Sequence, residues 1–380
     1  MAIFTFPIIA FIITIPYMIR QYNRYGSILF LRTVIVYSFV LYLLISYFMV
    51  ILPLPSIKEV GMSTSPWTQL IPFNFVSDIA KYSSFRISDI STYISALTEP
   101  VLYTNLFNLF LIIPFGFYLR YYFKRRWWEV ILLSLILSLF FEITQLSGLY
   151  GIYPRPYRLF DVDDLIINTC GGLVGFFITP VLGKILPSRD DLDEISYEKG
   201  KSVSLARRIL AFFLDIIIIN IITLLLSTIV DFNIVSSFYP FFYLVYFLFI
   251  TSFFNGFTIG KYLVKIKLVK KDGSKIGIIN LLIRYFVLFI IFYQVYNIIS
   301  WNKLFYIENF LVKCIINILY FLLFVVYLFT LVDIILKKDY LFYERLSNTK
   351  NISTIIKKRT ESAKEKFEIV NKADNEKKKE

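Results

Sequence analysis

Apolar segments of about 20 residues alternate with short polar stretches along almost the whole chain. The first runs from Ala2 to about Ile19 and is followed by Arg20. Eight further segments lie near residues 31–53, 101–119, 128–147, 165–183, 208–230, 237–254, 281–300 and 311–336. An α-helix of this length crosses the hydrocarbon core of a bilayer. The pattern therefore predicts an all-α polytopic membrane protein with about nine transmembrane helices.

The distribution of Lys and Arg predicts the orientation of these helices. The first segment lacks the basic start and cleavage site of a signal peptide, so we expect a retained helix. The connections after the first, third, fifth and seventh predicted helices are the basic ones, and basic connections stay in the cytoplasm. We therefore expect the N-terminus outside and the C-terminus in the cytoplasm. Residues 54–98 form the longest outer connection, an interfacial or re-entrant segment.

Breaks in the apolar pattern divide the chain into four parts. Residues 1–186 form a first transmembrane domain, residues 187–201 a charged cytoplasmic linker, and residues 202–352 a second transmembrane domain. Residues 353–380 form a lysine-rich cytoplasmic tail that is disordered or helical. In the second domain, the alternation of residues 264–269 and the Asp272-Gly273 turn predict a small cytoplasmic β-hairpin.

The composition supports a bilayer as the solvent. Hydrophobic residues make up 57% of the 380 residues and charged residues only 18%. The mean hydropathy is +0.67, which exceeds the usual value of a soluble domain. The net charge of +13 comes from Lys and Arg at the ends of apolar segments and in the tail. This placement favours membrane lipids as partners, and we expect no nucleic-acid partner.

The chain contains no histidine, and its two cysteines, Cys170 and Cys314, lie in predicted membrane spans. The sequence thus excludes Ser-His-Asp catalysis, imidazole-bound zinc and histidine-ligated haem, and it does not support a disulfide framework. We predict no catalytic residue, no metal site and no cofactor.

Polar side chains are concentrated near the predicted outer ends of the third, fourth and fifth helices. In each helix two of them are three or four residues apart and share a face. Because ionisable groups at membrane depth are costly, we predict an outward-facing ligand-binding cluster. Its residues are Asn105, Asn108, Glu142, Gln145, Arg158, Asp161, Asp164 and Asn168. The alternative is an internally satisfied structural cluster, in which Arg158 pairs with Asp161, Asp163 and Asp164 at the cap of the fifth helix and the amides join helices.

The same region carries a series of motifs in a fixed order: Asn-x-x-Asn, Pro-x-Gly, Ser-x-x-x-Glu-x-x-Gln, Arg-x-Phe-Asp-x-x-Asp and Asn-Thr-x-Gly-Gly-x-x-Gly. Besides the cluster residues, the series includes Pro114, Gly116, Ser138, Phe160, Thr169, Gly171, Gly172 and Gly175. Gly171 and Gly175 are four residues apart, which favours close helix packing. Over about residues 30–185 the chain resembles the VanZ-like membrane proteins. The founding member of that family is associated with reduced teicoplanin susceptibility, so the resemblance implies a bacterial cell-envelope protein.

Charged residues also interrupt the apolar segments of the second domain. Arg208 and Asp215 are seven residues apart on one helical face, Arg284 begins the eighth predicted helix, and Asp333 ends the ninth. We expect these four residues either to couple ion movement or to form a structural charge network.

This second domain resembles the RDD family over about residues 200–352. The matching positions are Arg208, Ala211, Asp215, Thr258, Gly260, Lys261, Asp272, Gly273, Arg284, Asp333, Glu344, Arg345, Leu346, Ser347 and Thr349. Ser347 stands where the family commonly has an aspartate. Some members of the family have been linked to ion or proton transport, so the resemblance implies transport as one candidate function.

The residues leave three functions open. The first is a non-enzymatic protein of the bacterial cytoplasmic membrane whose outer cluster binds a lipid-linked cell-wall intermediate or a lipophilic antibiotic. The second is a proton- or sodium-coupled secondary transporter that uses Arg208, Asp215 and Asp333. The third is an Mg²⁺-dependent enzyme acting on lipid intermediates, with Glu142 as general base. We favour the first and expect no enzyme; the sequence does not predict an oligomeric state.

Overall fold

The computed structural model describes residues 1–299, 321, 324–325, 328–336 and 340–356. Its contacts divide the chain into two compact units. Unit 1 comprises Met1–Ile15 and Leu29–Glu194, and unit 2 comprises Pro16–Ile28 and the described residues from Ile195 onward.

Helices make up most of both units. In chain order up to the middle of the sequence they are α1 (Ala2–Tyr25), α2 (Phe30–Ile51), α3 (Ile57–Met62), α4 (Asn74–Tyr82), α5 (Ser91–Ala96), α6 (Pro100–Tyr121), α7 (Trp127–Leu146), the single turn α8 (Gly148–Gly151), α9 (Val162–Leu182) and α10 (Arg189–Gly200). The later helices are α11 (Leu205–Leu226), α12 (Phe232–Ser237), α13 (Tyr239–Val245), a π-helical turn at Tyr246–Ile250, α14 (Thr251–Phe253), α15 (Ile259–Leu263), α16 (Ile278–Ile299), residues 328–335, and a short helix at Phe342–Leu346.

Six helices in the described part of the chain are long and apolar enough to cross a membrane, judged by length and composition. They are α1, α2, α6, α7, α9 and α11. The seventh and eighth predicted spans correspond to the apolar helical segments Tyr239–Phe253 and α16. The ninth, residues 311–336, lies mostly outside the described residues. The prediction of a helical membrane protein is confirmed, while the count of nine spans and their orientation stay predictions.

The predicted outer connection, residues 54–98, contains α3, α4, α5 and the two-residue strand β1 (Thr68–Gln69). This strand pairs in parallel with β2 (Phe160–Asp161), the segment that leads into α9. The connection is therefore tied by main-chain hydrogen bonds to the residues that begin α9.

Helices α6 and α9 pack closely because small residues line their contact. A Cβ atom at Gly171 would overlap the carbonyl oxygen of Leu109, and one at Gly175 would overlap that of Ile113. In the other direction, a Cβ atom at Gly116 would overlap the carbonyl oxygen of Gly172. The main chains of the two helices are thus in contact, which fixes the position of α9 for the polar residues at its beginning.

Unit 2 contains a core of aromatic and aliphatic residues, including the buried side chains of Ile219, Tyr243, Phe247, Leu281 and Tyr285. The segment Pro16–Ile28 belongs to this unit, although the predicted first domain, residues 1–186, includes it. Within unit 2 the side chain of Tyr22 packs in a buried cluster with Leu210, Ala211, Val264 and Ile266. This apolar contact is the reason why Pro16–Ile28 belongs to unit 2 and not to the unit that contains most of residues 1–186.

The predicted β-hairpin is wrong in its pairing. The strand β3 (Ile266–Lys270) exists, and the N–H of Gly273 donates to the carbonyl of Lys270 in the predicted turn. However, β3 pairs antiparallel with β4 (Thr349–Ser353), far away in the sequence. Helix α16 begins soon after the turn, so too few residues remain there to form a local partner strand. β4 ends on the first residue of the predicted tail, and residues 357–380 lie outside the described residues.

The contact between α6 and α9 generates a test of stability. We expect Gly175→Ala to lower the free energy of unfolding by roughly 1–3 kcal/mol, because the added methyl group forces two main chains apart. The thermal unfolding midpoint in detergent measures this change. Gly61→Ala is the control, since its Cβ atom would lie 3.6 Å from Pro154 Cγ, an ordinary contact. Equal midpoints for both variants and the wild type would contradict the packing.

Candidate functional sites in the two units

Among the described residues, each unit contains a group of neighbouring charged side chains of which several are buried. The unit-1 carboxylate cluster consists of Glu142, Asp161, Asp163, Asp164 and Arg158. The unit-2 charge network consists of Arg208, Asp215, Lys261, Arg284 and Glu344. Two of the four cluster carboxylates and both network carboxylates are at most 3% exposed.

Glu142 fixes the segment that enters α9. Its side chain is 2% exposed, and its Oε2 accepts a hydrogen bond from the N–H of Asp161 at 3.0 Å. Asp161 in turn is the N-cap residue of α9, where its Oδ1 accepts from the N–H of Asp163 at 2.8 Å. A carboxylate on α7 and a second one at the cap thus hold the beginning of α9.

Hydrogen bonds between polar side chains connect α6, α7 and α9 below this cap. Asn108 on α6 donates to Asp164 Oδ1 at 2.8 Å. Asn168 donates to Ser138 Oγ on α7 at 2.8 Å, and Ser138 donates to the carbonyl of Asp164 at 3.3 Å. Asn108, Ser138, Asp164 and Asn168 are therefore joined through these contacts, which link α6, α7 and α9.

Three residues of the predicted cluster bind main-chain carbonyl groups instead. Asn105 donates to the carbonyl of Val101 in its own helix at 2.7 Å. Gln145 donates to the carbonyl of Val50 at 3.1 Å. Arg158 donates to the same carbonyl at 2.9 Å and to that of Leu52 at 3.2 Å. Arg158 thus differs from its role in the structural alternative, since its guanidinium donates to carbonyl groups at the end of α2. The other parts of that alternative are observed: Asp161 caps α9, and the amides of Asn108 and Asn168 join helices.

Asp163 has a role that the sequence reading did not assign to it. This carboxylate is 3% exposed and accepts hydrogen bonds from the N–H groups of Phe73 at 2.6 Å and Phe75 at 2.8 Å. It therefore anchors the start of α4 in the outer connection. The three acids at residues 161–164 indicate a site that accepts hydrogen bonds. The donors, the N–H groups of Phe73 and Phe75, lie in a segment whose sequence has no recognisable pattern.

The cluster has more acidic than basic groups. Glu142 lies close enough to Asp161 and Asp164 for electrostatic repulsion and to Arg158 for attraction. Burial raises the pKa of Asp161 above its ordinary value, and the N–H of Asp163 opposes part of this effect. The Oδ1 atom of Asn168 is buried and has no hydrogen-bond partner among the described residues. The site can accept further hydrogen bonds or a positive charge from a ligand.

The geometry does not suggest a metal centre in the described part of the chain. No group of three or more Cys, Asp or Glu side chains is arranged there to hold a metal ion. Each acid of the cluster uses carboxylate oxygens for nearby N–H groups or the Asn108 amide.

Glu344 is the centre of the unit-2 charge network. Its side chain is 1% exposed, and it accepts from Arg208 at 2.8 Å, from Arg284 at 3.4 Å and from the amide of Asn351 at 2.8 Å. Arg284 also donates to Thr349 Oγ1 at 2.7 Å. One carboxylate is thus shared by two guanidinium groups.

Asp215 and Asp333 also have partners inside unit 2. Asp215 accepts from the hydroxyl groups of Tyr246 at 2.7 Å and Thr258 at 2.6 Å, and from the N–H of Gly260 at 2.7 Å. Asp333 accepts from Arg345 at 2.7 Å. The four residues predicted as ion-coupling groups are all engaged, which favours the structural alternative.

Two buried cations were not among the predicted site residues. Arg207 is fully buried, and its guanidinium donates to the carbonyl groups of Gly200, Val264 and Lys265. Lys261 donates to the hydroxyl of Tyr285 at 2.5 Å. The Arg207-Arg208 pair was visible in the sequence, but adjacent residues on a helix point to different sides, and the main-chain acceptors of Arg207 carry no sequence signal.

The network generates a second test. We expect Glu344→Gln to lower the free energy of unfolding by roughly 3–5 kcal/mol, because it leaves two buried arginines without their counter-charge. Glu198→Gln is the matched control, since it removes the same charge from an exposed ion pair with Lys201. Thermal unfolding in detergent and the yield of folded protein measure both. If the two variants unfold alike, Glu344 does not hold the network together.

Two family models match the chain, one in each half of the sequence. A model described as VanZ/LLP1 matches residues 39–183, and a model described as the RDD family matches residues 202–338. Both resemblances predicted from the motifs are confirmed. No curated protein and no solved structure matched the chain.

Proposed function

We propose that this protein binds a ligand and does not catalyse a reaction. The chain joins a region that matches the VanZ/LLP1 model to a region that matches the RDD family model, and it is a multi-pass membrane protein. The site is the unit-1 carboxylate cluster, and the membrane is the bacterial cytoplasmic membrane. The ligand is a lipophilic molecule whose polar head reaches the cluster, and its binding influences susceptibility to teicoplanin-like glycopeptides.

The excess of buried acid carries this proposal. Carboxylates in an apolar environment are costly unless charges or hydrogen-bond donors compensate them. Glu142 receives one main-chain N–H bond, and Arg158 directs its guanidinium to carbonyl groups. A ligand that brings an amine or several N–H and O–H donors would supply the compensation. The unpartnered Oδ1 of Asn168 would accept one of those donors.

Apolar residues near the cluster support a lipophilic ligand. Leu139, Phe140 and Ile143 on α7 are exposed and flank Glu142 in the sequence. An alkyl tail lying along α7 would cover these side chains while the head group meets the carboxylates. A lipid-linked intermediate with a phosphate next to the acids would be repelled, so a head group with donors or positive charge fits better.

Ion transport is supported less well. A coupling residue must lose or exchange a partner during the cycle, whereas Asp215 accepts three hydrogen bonds and Asp333 pairs with Arg345. This degree of compensation is typical of a structural network. We therefore do not propose transport for unit 2.

Susceptibility measurements test the proposed function in the native host. Deletion of the gene is expected to sensitise cells to lipid-tailed glycopeptides, but not to glycopeptides without a tail or to membrane-active peptides. Wild-type protein is expected to restore resistance, and Glu142→Gln is not, because it removes the charge that faces the ligand head. Glu129→Gln, the same change at the other end of α7 beside Arg125, is expected to restore it. Unchanged susceptibility across the panel would reject the role in resistance.

A binding measurement separates the site from its physiological effect. Purified protein in detergent is titrated with teicoplanin, and the dissociation constant is followed by a change in intrinsic fluorescence. We expect Glu142→Gln and Asp161→Asn each to weaken binding by roughly tenfold, because each removes a charge-assisted contact. Glu129→Gln should bind like the wild type. Equal affinity of all four proteins would show that the cluster is not the site.

A further inference from the structure

A cavity of about 190 Å³ lies inside unit 2, and none of its lining residues belongs to the unit-1 carboxylate cluster. Its polar wall includes Arg208, Arg284, Lys261, Asp215 and Asn351. Its apolar wall includes Leu205, Ile209, Phe212, Leu288, Ile334 and Leu341. The cavity therefore joins charged groups and aliphatic side chains in one space.

Three of the lining residues each carry a polar atom that has no hydrogen-bond partner in the described part of the chain. These atoms are the Nε atoms of Arg208 and Arg284 and the Oδ1 atom of Asn351, all of them buried. Arg284 is only 3% exposed, so its Nε–H has no access to bulk solvent. Buried polar groups are normally paired, and leaving one unpaired is costly. Two hydrogen-bond donors and one acceptor on residues that line one cavity would be satisfied by a ligand group that both accepts and donates hydrogen bonds.

The charges around the cavity are not balanced. Arg208, Arg284 and Lys261 bring three positive charges. Asp215 and Glu344 bring two negative charges, and both carboxylates already accept hydrogen bonds from groups of unit 2. One positive charge therefore remains uncompensated, and the wall favours an anion.

The apolar side of the cavity reaches the surface of the unit. Ile209 on α11 is 57% exposed and Ile334 is 39% exposed. Helix α11 is one of the helices long and apolar enough to span a membrane, so these side chains would face acyl chains. The volume is below the roughly 300–1,000 Å³ of a pocket for a drug-sized ligand. It can hold a head group whose chains leave past Ile209 and Ile334 into the bilayer.

From these observations we infer that the unit-2 cavity binds the head group of an anionic phospholipid that carries a phosphate and a free hydroxyl, such as phosphatidylglycerol. The phosphate oxygens accept from the Nε–H groups of Arg208 and Arg284. A hydroxyl donates to Oδ1 of Asn351. The lipid would act as a structural ligand of the charge network, separate from the ligand of unit 1.

The test uses purified full-length protein in a mild detergent and native mass spectrometry of retained lipid. Phosphatidylglycerol and phosphatidylcholine with identical acyl chains are offered together. We expect the wild type to retain phosphatidylglycerol about tenfold better, because phosphatidylcholine has no net charge and no hydroxyl donor. Equal retention of the two lipids would overturn the inference.

Two variants and one control locate the binding. Ile209→Trp places a large side chain at the opening without touching an ion pair, and it should remove the preference for phosphatidylglycerol. Ile221→Trp makes the same change on an exposed position of α11 that does not line the cavity, and it should keep the preference. Asn351→Ala removes the acceptor and should lower the preference several-fold. A preference unchanged by Ile209→Trp and Asn351→Ala would place the lipid elsewhere.

A competition arm distinguishes the lipid from a free anion. Inorganic phosphate at millimolar concentration should leave the bound phosphatidylglycerol in place, because the acyl chains contribute apolar contacts that phosphate lacks. Displacement by inorganic phosphate alone would assign the cavity to a soluble anion and overturn the lipid assignment. Neither result affects the unit-1 carboxylate cluster, so the two proposals succeed or fail separately.

Discussion

Compensation of buried carboxylates is the constraint on which the structure depends most. Five carboxylates among the described residues are buried, namely Glu142, Asp163, Asp215, Asp333 and Glu344, and each of them accepts at least one hydrogen bond or ion pair. In an apolar environment an uncompensated carboxylate costs several kcal/mol. This cost is a large fraction of the free energy of unfolding of a domain, which is roughly 5–15 kcal/mol. The partners of these five groups therefore decide how the neighbouring segments are arranged.

The two units meet this constraint in different ways. In unit 2 the partners of Glu344 and Asp333 are arginines, so charge compensates charge. In unit 1 the partners of Glu142 and Asp163 are main-chain N–H groups, which stabilise a carboxylate but leave its charge in place. Unit 2 pairs its acids with cations, whereas unit 1 has more acidic than basic groups at the beginning of α9. This difference is the physical reason for placing the ligand of the proposed function in unit 1.

The sequence predicted those features that depend on residues close together in the chain. The span predicted near residues 101–119 corresponds to the helix Pro100–Tyr121. The length of an apolar segment can be read from consecutive residues, so no distant contact is needed to predict it. Helical spacing likewise placed Asp164 and Asn168 on one face of α9, and both side chains make hydrogen bonds to neighbouring helices. The pairing of β3 with β4 depends on strands far apart in the sequence, and the periodicity of one strand does not identify its partner. The partners of Arg158, Arg207 and Asp163 are main-chain groups, and these are present at every residue, so side-chain patterns cannot identify them.

The position of the acidic cluster depends on packing as well as on charge. Gly171 and Gly175 bring the main chain of α9 against α6, and this contact sets the distance over which Asn108 reaches Asp164. The start of α9 is also in contact with the predicted outer connection. Strand β1 pairs with β2, and the N–H groups of Phe73 and Phe75 donate to Asp163. The beginning of α9 is therefore fixed from both sides before any ligand is present. A site with its acids held in place in this way does not need to reorganise on binding, so the cost of ordering falls mainly on the ligand.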